Sequence, residues 1–298
     1  MTPPVLAGVD GSPESTAAAQ WAAGEALRRD APLRLVHAWP WLTDGRAAFA
    51  DADDLPAVAQ RMLAATADEV RRSHPGLPVQ TDVVLDAAVD GLVSAAEDAG
   101  LLVLGSRGLG GFTGLLVGSV SMAAAARCAA PVVVVRPAPA TGARTGEEAG
   151  TGEQAGTAPE VVVGVDAHAP SEDVLAFAFR EAALRGARLR VVHGWEMPPV
   201  FAYAGWIPPQ TEMANLQALE AKTLSLALDE WRDRYPDTVL VEQVRLGAAR
   251  SLVEASEAAD LVVVGRRRRP HDIGLRLGRV AHAVLQHAHA PIAVVPHA

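Results

Sequence analysis

Short apolar runs and longer amphipathic stretches alternate along this chain at a nearly regular pitch. Val5 to Val9 is an apolar run closed by Asp10-Gly11-Ser12-Pro13, the pattern of a buried strand that ends in a turn. Ser15 to Arg29 predicts a helix with Ala18, Trp21, Ala22, Ala26 and Leu27 on one face. Leu33 to Trp39 predicts a second strand, Pro40 to Asp54 a loop, Leu55 to Arg72 a second helix and Val79 to Leu85 a third strand. Leu92 to Ala99 reads as a third helix and Leu101 to Leu104 as a fourth strand. After the glycine-rich segment Gly105 to Ser121 come a helix, Val120 to Cys128, and a fifth strand, Val132 to Val135. The strands are apolar almost throughout instead of at every second position. Such strands belong to a parallel sheet covered by helices on both faces.

Pro137 to Pro159 breaks the rhythm. It is rich in Gly, Thr, Ala and Glu, holds no large apolar residue, and reads as a flexible linker. The series then begins again. Val161 to Asp166 echoes Leu6 to Asp10, and Val191-Val192-His193-Gly194-Trp195 echoes Leu35-Val36-His37-Ala38-Trp39. Leu252-Val253, Leu261 to Gly265 and Pro291 to Val295 repeat Leu92-Val93, Leu101 to Gly105 and Pro131 to Val135. The extra residues of the second copy lie in its middle, where Trp206, Pro208 and Pro209 precede a long helix, Thr211 to Arg234, and suggest a flap. The chain is a tandem duplication of one α/β unit: domain 1 over residues 1–137, a linker over 138–159, and domain 2 over 160–298.

Composition narrows the setting. A length of 298 residues allows two domains with a core each. A formal net charge of −9 argues against a general nucleic-acid or anionic-membrane surface. Cys128 is the single cysteine, which excludes an intrachain disulfide and a cysteine metal cluster and reads as a small core filler. The N-terminal residues lack a secretory pattern and no run reaches membrane-spanning length, so the expected location is cytoplasmic.

The chemistry concentrates in Gly105 to Ser121, GSRGLGGFTGLLVGSVS. A strand stops, glycines free the backbone, and a helix begins with Ser119 and Ser121, so that N–H groups and the positive end of the helix dipole face an anion. It is not a P-loop, because Lys222 is the only lysine and no glycine adjoins it. Nor is it a dinucleotide fingerprint: Gly108-Leu109-Gly110-Gly111-Phe112-Thr113 puts Thr113 at the last glycine position, and it follows the fourth strand, not the first.

The spacing G, two residues, G, nine residues, G-S between Gly105 and Ser119 resembles the nucleotide-binding signature of the universal stress protein family. The strand ending in Asp10, the His37-Ala38-Trp39 strand and the closing Pro131 to Val135 run extend the resemblance over both halves. It implies an adenine-nucleotide α-hydrolase-like fold, with two tandem doubly wound α/β domains, each a five-stranded parallel sheet with helices on both faces. It also implies ATP or another adenine nucleotide as ligand, with Mg²⁺ arriving on it. Asp10 would meet the adenosine moiety and the Ala38 backbone the adenine edge. Gly105, Arg107 and Gly108 would line the ribose and phosphate side, and Gly118, Ser119, Val120 and Ser121 would serve the phosphates. Each residue also has a plain alternative, because Asp10 before Gly-Ser-Pro makes a turn and cap, and glycines after strands form turns. The implied role is a nucleotide-dependent sensor or regulator in stress response, not an enzyme, since no acid–base pair or nucleophile with a partner is identifiable. The rivals are a slow ATPase or autophosphorylating protein using Ser119 or Ser121, and a nucleotide-free interaction module. The resemblance further implies edge-to-edge pairing of the fifth strands, between the two halves of one chain, and a homodimer.

The second copy of the cradle reads GRRRRPHDIGLRLGRVA. Gly265 and Gly278 remain, while Arg268, Arg279 and Ala281 stand where the first copy has Gly108, Ser119 and Ser121. The expectation is a site lost through a forbidden backbone conformation and missing hydroxyls. The alternative is an anion site built from the Arg266 to Arg269 guanidinium groups. His282, His287, His289 and His297 lack the spacing of a helical metal site, and the matched pairs His37/His193 and Trp39/Trp195 point to shared structural roles, the tryptophans flanking the pocket or packing.

Overall fold

The computed structural model describes residues 2–39, 55–108, 116–136, 158–196, 210–268 and 277–298. The first half runs β1 (Val5–Gly8), α1 (Pro13–Arg28), β2 (Leu33–Ala38), α2 (Leu55–Ser73), β3 (Val79–Val84), α3 (Ala88–Ala95), β4 (Leu101–Gly105), α4 (Ser119–Arg127) and β5 (Val132–Val135). The second runs β6 (Glu160–Val165), α5 (Glu172–Arg185), β7 (Arg188–Trp195), α6 (Gln210–Ala227), α7 (Asp229–Arg234), β8 (Leu240–Leu246), α8 (Ala248–Ala255), β9 (Leu261–Arg267), α9 (Arg279–His287) and β10 (Ile292–His297). The loop Pro40 to Asp54, most of the linker, and Trp206 with its prolines lie outside the described residues.

The strands form one ten-stranded sheet in the order β3-β2-β1-β4-β5-β10-β9-β6-β7-β8. Each half is parallel, and the halves meet through an antiparallel pair in which Ala293 faces Val133. The fifth strands therefore pair inside the chain, and their apolar edges cover each other. The pleat sorts the apolar runs onto two faces: Val5, Ala7, Leu33 and Leu35 pack on one side among residues of α1 and α2, and Leu6, Val36, Leu102 and Leu104 on the other with Leu92 and Ala124. Fully burying such a Val or Leu side chain contributes about 1.5–3 kcal/mol.

Three elements depart from the sequence expectation. Helix α3 starts at Ala88, not Leu92, because Gly91 does not break it. A Cβ there would come within 3.2–3.3 Å of Val84 and Ala38, so the glycine lets the helix lie close on the sheet. The long helix of the second half is split at Leu228, which with Trp231 turns inward, and Trp231 stacks on Phe179 at 5.3 Å. Strand β9 runs on to Arg267, since His297 and Pro296 of β10 continue the ladder beyond Gly265. Leu27 is exposed.

Side chains clamp the halves on both sheet faces. Between α1 and α5, Glu25 and Glu181 are fully buried and alternate with Arg29 and Arg185. Arg29 Nε donates to Glu25 at 2.7 Å and Arg185 Nη2 to Glu25 at 2.6 Å, while Arg29 and Arg185 both bond Glu181. Arg185 lies over the Trp21 ring and Arg29 over Phe177. On the opposite face Arg136 Nη2 donates to the Gln286 carbonyl at 2.8 Å, and Arg266 donates to the Cys128 carbonyl. These carbonyls end helices, so each guanidinium meets the negative end of a helix from the other half.

Candidate functional site

In each half the strand order reverses where the first strand stands between the second and fourth, which opens a crevice at the carboxyl ends. In the first half this crevice is a cavity of about 440 Å³, within the usual range for small-molecule sites. Asp10 and Ala38 reach it from the ends of β1 and β2, and Gly105 from β4. Arg107 and Gly108 follow from the loop, and Gly118, Ser119, Val120 and Ser121 close it with the first turn of α4. Every residue singled out by the sequence thus borders one space. The apolar walls, Val36, Leu92, Leu104 and Ala88, were not foreseen, because α3 reaches the site through packing and carries no motif.

The local chemistry differs from the expectation at several of these positions. Gly108 does not have a positive φ. It is glycine because a Cβ would stand 2.3 Å from Asp10 Oδ2. Gly105 is packed on α1, where a Cβ would meet the Glu14 carbonyl carbon at 2.7 Å. Asp10 organises the turn: its Oδ1 accepts from the Ser12 N–H at 3.0 Å and the Ser12 hydroxyl at 2.6 Å, and Ser12 in turn caps α1 by accepting from the Ser15 N–H at 3.1 Å. Ser121 is buried and its hydroxyl donates to the Gly105 carbonyl at 2.6 Å, tying helix to strand; it is neither a free anion donor nor an open phosphoacceptor. Ser119 is exposed at the mouth. Helix α4 has no side-chain cap, so its first-turn N–H groups, which no intrahelical carbonyl can satisfy, face the cavity. Arg107 is half exposed and stands 3.6 Å from Glu14. His37 donates from Nδ1 to the Val9 carbonyl at 2.6 Å, a structural bond, with its ring 5.4 Å from Trp39. Burial pushes the Cys128 thiol above its ordinary value, as a core position should.

The second half is not filled in. Its crevice measures about 630 Å³ and is bordered by Asp166, His168, His193, Trp195, Glu220, Arg267 and Gly278. The arginine cluster is dispersed: Arg266 is buried and turned to the first half, Arg267 borders the cavity, Arg268 is exposed, and Arg269 lies outside the described residues. Continuation of β9 carries ladder hydrogen bonds past Gly265, and the Arg268 N–H donates to the His297 carbonyl at 2.6 Å. His168 and Glu220 border this space and belong to no motif singled out in the sequence. His168 stands where the repeat has Ser12, a difference visible on aligning the halves, whereas Glu220 comes from a helix with no motif. His282, His287 and His289 are surface residues of α9 and its C-terminal turn, and Trp195 is buried at the cavity wall. Among the described residues no helix is long and apolar enough to cross a membrane.

Comparison with known proteins matches both halves to one family. The profile described as "Universal stress protein family" matches residues 1–136 and 159–296. Universal stress protein Rv2623 of Mycobacterium tuberculosis is 34% identical over 309 residues, spanning 97% of this chain and 95% of that protein. Universal stress protein Rv1996 of the same organism is 33% identical over 314 residues, spanning 97% and 94%. The crystal structure of a universal stress protein from Archaeoglobus fulgidus DSM 4304 superposes with a TM-score of 0.67 at 15% identity, covering 99% of this chain and 98% of that one.

Proposed function

The chain belongs to the universal stress protein family, and from that premise we propose that its N-terminal half binds an adenine nucleotide, ATP in the first instance, in the cavity at the ends of β1, β2 and β4. The observation that carries this reading is the meeting, in one space of about 440 Å³, of an uncapped helix N-terminus with an apolar slot. The slot between Val36, Leu92 and Leu104 suits a flat heteroaromatic base. The N–H groups of Ser119, Val120 and Ser121 suit phosphate oxygens, and Arg107 adds a cationic side chain at the same end. Asp10, the one carboxylate on the described cavity wall, lies beside Gly108, and a carboxylate there suits ribose hydroxyls. Mg²⁺ would come with the phosphates and neutralise part of their charge. The protein then acts by occupancy, without rapid turnover, as a cytoplasmic regulator of stress physiology that also pairs with a second copy of itself and binds neither nucleic acid nor membrane.

Thermal unfolding with and without ATP·Mg²⁺ tests it. Ligand at about 100 times its Kd stabilises by about 2.7 kcal/mol, a rise in Tm on the order of 5 °C for a chain of this size. Bound material released from the purified protein should show adenine absorbance, and a liganded crystal structure should place it beside Gly108 and Ser119, with none beside Arg268 and Arg279. An unshifted Tm in saturating ATP overturns the reading.

A further inference from the structure

We propose that the C-terminal half holds a site for one divalent transition-metal ion of the Zn²⁺ type, built from His168, His193 and Glu220 at the wall of its cavity. The three residues come from separate elements: the turn after β6, strand β7 and helix α6. Their donor atoms lie within 4.8 Å of one another. Glu220 Oε2 is 2.8 Å from His168 Nε2 and 3.1 Å from His193 Nε2. Around a tetrahedral ion with ligands at about 2.0–2.1 Å, neighbouring donors stand about 3.3 Å apart. The two carboxylate–imidazole distances therefore need to open by only a few tenths of an ångström, with the two imidazole donors already within 4.8 Å of each other. Two imidazoles and a carboxylate are a borderline donor set that suits Zn²⁺ and its first-row neighbours and excludes Ca²⁺ and Mg²⁺, which take oxygen.

The surroundings are those of a held ligand set. His193 is buried, and its Nδ1 lies 3.3 Å from the Val165 carbonyl. In the tautomer that binds an ion, donation there would fix the ring and turn Nε2 to the ion, the usual support for a ligating histidine. His37 makes the equivalent bond to Val9 in the first half, so the scaffold supplies the oriented histidine twice. Only the second half adds the other two donors. There His168 stands where the first half has Ser12, and α6 brings Glu220, whereas α2 sets Met62 against Gly11. Without an ion, the Ala167 N–H at 3.2 Å from His193 Nδ1 and the Glu220 carboxylate hold the opposite tautomer. Ion uptake moves that ring proton from Nε2 to Nδ1. Three protein donors leave at least one coordination position, and it opens to the cavity because all three residues border it. This inference stands independently of nucleotide binding in the first half.

The test uses the full chain, stripped with a chelator that is then removed, and no nucleotide. Titration with Zn²⁺ alone against a competing dye should show one equivalent bound, and Co²⁺ alone should give the visible d–d bands of a site with imidazole ligands. His168→Ser, which restores the first-half residue at an exposed position, and Glu220→Gln should each weaken uptake at least about tenfold without lowering the Tm of the ion-free protein. His289→Ala, at the exposed C-terminal histidines, should change nothing. No uptake by the parent chain, or equal uptake by the parent and both site variants, overturns the proposal, and loss only in His289→Ala assigns the ion to the surface and overturns it as well.

Discussion

Gly108 and Asp10 act as one unit in the first cavity. The Asp10 carboxylate occupies the space of the missing Cβ, and its other oxygen is held by the Ser12 N–H and hydroxyl. A methyl group at 108 has to rotate the carboxylate away and break both bonds. Gly108→Ala should therefore cost about 1.5–3 kcal/mol of stability, the range for hydrogen bonds to a charged group, and should weaken the ATP-induced rise in Tm. Gly118→Ala is the contrast, because its Cβ would meet nothing closer than 3.6 Å and its φ of −70° suits any residue. Urea unfolding of the two variants checks the pair: a loss confined to Gly108→Ala is expected, and equal losses would mean that the Asp10 contact is not what fixes the loop. The second half supplies the same comparison in its own sequence, with Arg268 at the equivalent position and an exposed Asp166 opposite.

The elements around the site are set by their ends. Helix α1 begins at Pro13 because Ser12 caps it, Glu14 favours the positive end, and the Pro13 ring presets the first turn. The same serine holds Asp10, so helix start and cavity wall share one hydroxyl. Ser12→Ala should destabilise by about 1–2 kcal/mol through the lost cap and also reduce nucleotide affinity, whereas a cap without a second role would change stability alone. Chemical denaturation and ATP titration on the same variant separate the two effects. Helix α4 shows the reverse arrangement, in which no capping side chain covers the first-turn N–H groups that face the cavity.

Across the molecule, the junction of the halves combines a buried β5–β10 ladder with a closed ring of two carboxylates and two guanidinium groups. Burial and the neighbouring Glu25 charge push Glu181 up to about 6, against the pull of Arg29 and Arg185. Burial alone would raise Glu25 too, but Arg185 and Arg29 hold it below its ordinary value. Between the ordinary carboxylate value of 4.5 and about 6, the folded state keeps a proton on Glu181 that the unfolded chain releases, so this group's contribution to stability falls as pH rises through that window. Glu25 runs the other way, its contribution being present above the ordinary range and lost as pH falls through its depressed value. Glu181→Gln removes the first effect. Relative to the parent chain it should gain about 2 kcal/mol between pH 4.5 and pH 7, read from urea unfolding at a series of pH values. A difference that stays flat with pH would mean that the ring does not hold that proton.

The apolar runs were enough to lay out the two repeats and the parallel strands, because a buried strand and an amphipathic helix each write their period into consecutive residues. The spacing from Gly105 to Ser119 likewise marked residues that border one cavity, since a backbone cradle is built from neighbours in the chain. What those residues do to each other could not be read that way. That Gly108 answers to Asp10, that Ser121 spends its hydroxyl on Gly105, and that Arg266 crosses to Cys128 are contacts between distant segments. Helix α3 closing the slot and Glu220 meeting His168 and His193 are of the same kind. The second crevice stayed open for a related reason: strand order and helix packing create it, and Arg268 and Arg279, which replace glycine and serine, are exposed and stand outside its lining.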